Sequence, residues 1–275
     1  MNSKTSDNTT PVDTSESPAD YEFPPPPITL IDRILLLPFL VVFVGVLLCF
    51  EPLLRVAGLF GLSAVERVAA GLNRSVVFSL RILGTKFDIS GEFPVSRDTN
   101  YVIIANHQSM FDISTIYSIF AAIYPRFVAK KELSRIIPSI SYVLRNDGSA
   151  IIDRKNPAQA LPELKALSER AKQNRFAIVI FPEGTRARNG KLKEFKSRGL
   201  STILEMLPYS QIIPVAIDGS WKLQAYPHGP IPHGVTIHIR IGQPLAHAQT
   251  VDKTQVVAHT RNLVRDMLCK IRLNR

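Results

Sequence analysis

The stretch Tyr101-Val-Ile-Ile-Ala-Asn-His-Gln-Ser-Met-Phe-Asp112 sets five largely apolar residues before a short polar turn, and a helical apolar pattern begins at its end. A short apolar run bounded by polar residues fits a buried strand, and a helix following at once fits the strand–loop–helix unit of an α/β protein. The alternation continues outward. Further strand candidates lie at Lys86 to Ser90, Arg126 to Ala129, Ala150 to Asp153, Ala177 to Phe181, Gln211 to Ile217 and Val235 to Ile241. Helical patterns lie at Phe111 to Ala122, Glu132 to Leu144, Pro157 to Asn174, Ser197 to Met206 and Lys253 to Ile271. This order predicts an α/β fold over residues 85–275, a mixed, largely parallel sheet flanked by helices. Chemistry in such sheets gathers at strand ends and in the loops that leave them.

Upstream of residue 85 the composition changes. Residues 1–27 are rich in Ser, Thr, Asp and Pro, end in Pro24-Pro25-Pro26-Pro27, and read as a disordered acidic tail with a stiff end. They lack the basic start and early apolar stretch of a cleaved secretory leader. Ile34 to Phe50 is an apolar run of 17 residues. As a helix it reaches about 25 Å against about 30 Å of hydrocarbon, so it either just spans a bilayer or sinks into one leaflet. A buried core helix is the alternative. From Ser63 to Leu83, Arg67, Arg74 and Arg81 recur every seventh residue and form one stripe on a helix. Such a stripe suits an anionic interface or an ordinary solvated face. Residues 28–84 are therefore expected to form a membrane-associated helical element.

The net charge is +10, and because residues 1–28 carry a local −4, the other 247 residues carry +14. That excess points to an anionic partner, a lipid surface or a phosphorylated substrate. Nucleic acid fits poorly, since the basic residues are dispersed and no recognised binding pattern occurs. Cys49 and Cys269 are the only cysteines, and neither has metal-ligand spacing, so no metal site is expected and a reducing, cytoplasmic compartment is the default.

Two strand-end motifs carry candidate chemistry. On a continuous helix the spacing of five between His107 and Asp112 would put their side chains about 140° apart, so they meet only if His107 lies in the turn before the helix. Asp112 then orients the imidazole and leaves its other nitrogen as a base. The chain has no Gly-x-Ser-x-Gly elbow and no other marked nucleophile, so the attacking group is more naturally a substrate hydroxyl. Phe181-Pro-Glu-Gly-Thr-Arg186 closes a second strand: Gly184 permits close backbone approach, Thr185 brings a hydroxyl, and Arg186 a planar fork for phosphate oxygens. Glu183 could anchor Arg186 or Lys130, or orient a substrate. Lys130 and Lys131 end a third strand, and Asp153 and Arg154 a fourth, so several cations gather as an anion site.

These residues resemble the lysophosphatidate acyltransferase family, within the wider glycerolipid acyltransferase superfamily. Four blocks occur in the family's order: Asn106-His107 to Asp112, Gly148 to Arg154, Phe181 to Arg186, and Ile213-Pro214-Val215. The match covers about residues 80–245. It implies that His107 is a general base oriented by Asp112 for attack of a lysophospholipid hydroxyl on an acyl thioester. The thioester is acyl-CoA or acyl-ACP, the latter making acyl carrier protein a partner, and no cofactor is needed. It implies further that Lys130, Arg154, Glu183, Gly184, Thr185 and Arg186 hold the glycerol phosphate, that Pro214 shapes the pocket or the acyl-donor side, and that an N-terminal two-helix element enters a leaflet of the bilayer. Left open are another acceptor, such as a lyso-ornithine lipid or lysophosphatidylcholine, a thioesterase, and a non-catalytic membrane protein that binds anionic lipid. The acidic, proline-ended segment is not part of the family pattern.

Overall fold

The computed structural model describes residues 17–91, 96, 98–153, 156–226, 229–246 and 252–274. Its strands are β1 (Lys86–Ser90), β2 (Tyr101–Ala105), β3 (Arg126–Lys130), β4 (Ala150–Ile152), β5 (Ile178–Ile180), β6 (Gln211–Asp218), β7 (Thr236–Ile241) and β8 (Leu245–Ala246). They form one sheet in the order β1-β7-β6-β2-β5-β3-β4, with β8 beside β6. Every pairing is parallel except those of β6 with β7 and β8. The largely parallel α/β fold read from the alternation is the one observed.

β2 is buried along its whole length because helices cover both faces. Ile103 and Ala105 face a core shared with α1 (Leu30–Gly58), α2 (Leu62–Ser79) and α3 (Phe111–Phe120). Val102 and Ile104 face a second core formed with α6 (Pro157–Asn174), α7 (Ser197–Met206) and α8 (Lys253–Leu273). The helix expected over Glu132 to Leu144 is instead two, α4 (Leu133–Ile136) and α5 (Ile140–Asn146). Pro138 has no N–H to continue the ladder and drives Ile137 into an extended conformation, ψ 116°, which ends α4.

α1 is longer than the apolar run suggested. Its 29 residues, about 43 Å of helix, continue through Pro38 and Pro52. Thr29 opens it, donating from its backbone N–H and hydroxyl to Asp32 Oδ2 at 2.5 and 2.7 Å. Asp32 Oδ1 accepts from the His233 backbone N–H at 2.6 Å and lies 2.8 Å from its Nδ1. Burial pushes this carboxyl up, but the Thr29 and His233 hydrogen bonds outweigh it and hold Asp32 well below the usual range. Toward the far end, Ser139 donates its hydroxyl to the Leu47 carbonyl at 2.5 Å and its N–H to Glu51 at 2.6 Å. Both ends of α1 are thus held by one α/β domain. Between them Leu37, Leu40, Val41, Val44 and Leu48 are exposed, so one apolar flank faces outward. On α2, Val65, Ala69, Leu72 and Val76 are buried at helical spacing while Arg67 and Arg74 are exposed, as is Arg81 just beyond.

Of the segment 1–27 expected to be disordered, residues 1–16 lie outside the described residues, and residues 17–27 depart from that expectation. They lie along the α/β domain, with Ala19 fully buried, Phe23 stacked on Trp221, and backbone hydrogen bonds to Asn189 and Leu192. The polar, proline-rich composition hid two apolar anchors, Ala19 and Phe23, and a stiff proline run that limits the entropy lost on docking.

Candidate active site

β2, β3, β4, β5 and β6 all run parallel, so their C-terminal ends share one edge of the sheet. That edge receives His107 after β2, Lys130 at the end of β3, Asp153 after β4, Glu183 to Arg186 after β5, and Ser220 to Gln224 after β6.

His107 lies in the turn before α3, as the spacing required. Its Nδ1 is 2.9 Å from Asp112 Oδ2. The same oxygen accepts the backbone N–H groups of Gln108 and Ser109 at 2.7 and 2.8 Å, and Oδ1 accepts the Ser220 hydroxyl at 2.6 Å. An acceptor with this many donors is fixed in place. Nδ1 is therefore the protonated nitrogen facing Asp112, and Nε2 carries the free lone pair. The imidazole stacks on Phe181, ring centres 4.2 Å apart.

Glu183 grips His107 from the other side. Its Oε1 accepts the His107 backbone N–H at 2.9 Å, and the Ala187 N–H donates to the His107 carbonyl at 2.7 Å. Glu183 therefore clamps the peptide of His107, which neither anchoring role considered for it from sequence anticipated. Its Oε2 is buried without a hydrogen-bond partner among the described residues. Burial pushes this carboxyl from its ordinary 4.5 up to about 8, against the pull of the His107 N–H and Lys193. Between those two values the folded chain keeps a proton that the unfolded chain has released, so this group makes stability fall as pH rises from about 4.5 to about 8. Glu183→Gln keeps the acceptor for His107 and removes the titration. Its melting temperature should fall less than that of the parent between pH 5 and about 8. Parallel melting-temperature curves for the two proteins would disprove this assignment.

The remaining predicted residues divide. Gly184 has φ +71°, and a side chain there would meet Lys196 Nζ at 3.2 Å, so the close approach it permits is to that lysine. Lys193 Nζ donates to the Thr185 hydroxyl at 3.1 Å and to the Arg186 carbonyl at 2.8 Å. Arg186 Nη1 donates to Gln224 Oε1 at 2.7 Å, and the same oxygen accepts the Met110 N–H at 2.8 Å. Lys130 pairs with Glu132 at 3.3 Å on the same edge. Arg154 lies outside the described residues. Pro214 does not reach this edge. It is buried within β6 on the face of Ile212 and Ala216, packed against Gly242. Along that side of β6 the pairing passes from β8, at Ile212, to β7, at Val215, so the missing proline N–H falls in the break. Ser220, Gln224, Lys193 and Lys196 were not read from the sequence.

Two cavities flank this edge. One of about 320 Å³ lies between the sheet and α6–α7, apolar inside, with Lys196 and Arg198 among its lining. A smaller one of about 100 Å³ lies among α2, α3 and α5 and is lined by Leu72, Met110, Tyr117, Phe127 and Val143.

Residues 86–218 match the acyltransferase family model. The chain is 39% identical over 134 residues to the 1-acyl-sn-glycerol-3-phosphate acyltransferase of Helicobacter pylori, covering 46% of this chain and 54% of that one. It is 31% identical over 184 residues to the chloroplastic 1-acyl-sn-glycerol-3-phosphate acyltransferase BAT2 of Brassica napus, covering 65% and 52%. The chain thus spans about half the length of these curated relatives. The crystal structure of the 1-acyl-sn-glycerophosphate acyltransferase of Thermotoga maritima has the same fold, with a TM-score of 0.69 and 22% identity over 88% of this chain and 97% of that one. Residues 86–218 are thus similar to an acyltransferase domain. Within that class, and in line with the resemblance carried by the four sequence blocks, the chain is similar to the 1-acyl-sn-glycerol-3-phosphate acyltransferases.

Proposed function

We propose that the chain transfers an acyl group from acyl-CoA or acyl-ACP to the sn-2 hydroxyl of 1-acyl-glycerol-3-phosphate, forming phosphatidic acid for phospholipid synthesis. The observation that carries this reading is the His107–Asp112 pair, 2.9 Å apart, on a sheet edge that also bears Lys130, Arg186, Lys193 and Lys196. In the mechanism, Nε2 of His107 takes the proton of the acceptor hydroxyl as its oxygen attacks the thioester carbonyl. The tetrahedral intermediate expels the thiolate, which takes the proton back from the imidazolium and leaves as a thiol. Asp112 holds the ring and stabilises its charged form. A phosphomonoester carries between one and two negative charges near neutral pH, so its acceptor needs more than one cation. Arg186 is the best placed, because Gln224 ties it to the turn that carries the dyad.

α1 is read as lying in one leaflet. Asp32 binds His233 near one end and Glu51 binds Ser139 near the other, so a helix crossing the bilayer would need one α/β domain on both sides. The exposed Arg67, Arg74 and Arg81 favour an anionic lipid surface, and the negative charge of the cytoplasmic leaflet makes the cytoplasmic surface the natural one.

The test is transfer of labelled acyl groups from both thioesters across a panel of lysolipids by purified protein in vesicles. Lysophosphatidate is expected to be the preferred acceptor. Arg186→Ala should raise KM for it by about tenfold or more, the worth of a charge-assisted contact, with a smaller change for a lyso-ornithine lipid, which lacks the phosphate. Equal rates on lysophosphatidylcholine or the lyso-ornithine lipid would reassign the acceptor. Thioester consumption without any lysolipid would make the chain a hydrolase.

A further inference from the structure

The segment 17–27 has no counterpart in the resemblance, yet it touches the two loops on which the dyad depends. We propose that it is a positioning strap, with Phe23 as its key residue, that holds the His107–Asp112 pair and Arg186 in register. The inference rests on the acyltransferase reading of that site.

The first loop follows Arg186. Ala187 donates to the His107 carbonyl at 2.7 Å, and a few residues on the strap pairs with this loop through Phe23 N–H to the Asn189 carbonyl at 2.9 Å and Leu192 N–H to the Ala19 carbonyl at 3.0 Å. The second loop runs from Ser220 to Gln224. Ser220 donates to Asp112, and Gln224 receives Arg186 and the Met110 N–H. Trp221, between them in sequence, stacks on Phe23 with ring centres 5.6 Å apart. The Arg272 guanidinium lies 4.9 Å from the ring centre of Phe23 and donates to the Pro18 and Gly190 carbonyls at 2.6 and 2.7 Å. Gly190 marks the convergence: it has φ +82°, and a Cβ there would lie 2.9 Å from Phe23 and 2.8 Å from Trp221. Tyr226 donates to the Pro26 carbonyl at 2.6 Å, and the proline run then leads stiffly to Thr29 at the start of α1. The strap thus ties the lipid-facing helix to the loops that aim the base.

Phe23 touches no reacting group, so its effect must pass through Ser220, Gln224 and Ala187. Trp221 is the only tryptophan in the chain, which makes its fluorescence a local reporter. In the full chain in vesicles, Phe23→Ala should expose Trp221 to acrylamide quenching and lower kcat by about tenfold, the scale expected when catalytic groups lose alignment, while KM for the acyl thioester stays within about twofold. Phe23→Tyr keeps the stack and should restore both readouts. Glu22→Gln, which removes only an exposed pair with Lys191 at 3.3 Å, should match the parent. Quenching that rises with kcat unchanged, kcat that falls only with the folded fraction, or failure of Phe23→Tyr to restore it would each overturn the strap. If the parent itself transfers to no lysolipid, the acyltransferase reading fails. The strap is then scored by mass-spectrometric mapping of diethyl pyrocarbonate modification at the buried His107, which Phe23→Ala should accelerate and an idle strap would leave unchanged.

Discussion

His107→Ala is expected to lower acyl transfer by about a thousandfold, within the range by which a positioned general base accelerates such a reaction. Among the described residues no neighbour is placed to take over. Asp112 is saturated by Gln108, Ser109 and Ser220, and Glu183 spends one oxygen on the His107 backbone while the other is buried. The fold should survive, because Glu183 and Ala187 hold the backbone of residue 107 and not its ring. The lost stack on Phe181 should cost about 1 kcal/mol. Circular dichroism and vesicle co-sedimentation should therefore match the parent while turnover falls about a thousandfold. Near-normal transfer by this folded variant would remove His107 from the mechanism.

The largest loss of stability is expected at Arg272. Its guanidinium forms a pair with Asp218 at 2.8 and 3.2 Å, and the side chains are 5% and 0% exposed. Arg272→Ala strips the buried carboxylate of this charged partner, while Gln108 still donates to it at 3.3 Å, and unties Pro18 and Gly190 as well. Breaking such a pair from one side costs about 3–5 kcal/mol, which in a domain of this size lowers the melting temperature by about 10 °C. Adding Asp218→Asn should recover part of the loss, since it removes the stranded charge. A melting temperature within about 2 °C of the parent would show that the pair contributes little net stability.

How far the sequence reached depended on distance along the chain. His107 and Asp112 were legible because a buried strand ends just before the first and a helix starts just before the second, so five residues of local geometry decide whether they meet. The donors that fix Asp112 and Arg186 were not legible. Ser220 lies 108 residues from Asp112, and only the placement of β6 beside β2 brings the two together. The role of Glu183 was missed for the same reason, since its partner is a backbone N–H 76 residues away. The resemblance implies that Pro214 shapes the pocket or the acyl-donor side, whereas strand alternation puts it on the face of Ile212 and Ala216, away from the strand ends. The strap was misread because composition averages over residues, and two anchors among eleven residues do not lift an average.

The hold of one domain on both ends of α1 also bears on the variable to which the proposed acyl transfer would answer. On the proposed reading, with α1 in one leaflet, the chain would meet its acceptor by diffusion in two dimensions and return the product to the same sheet of lipid. Its rate then follows the mole fraction of lysolipid in the surface and not the amount per litre, so adding inert phospholipid at constant total acceptor slows each turnover by dilution within the plane.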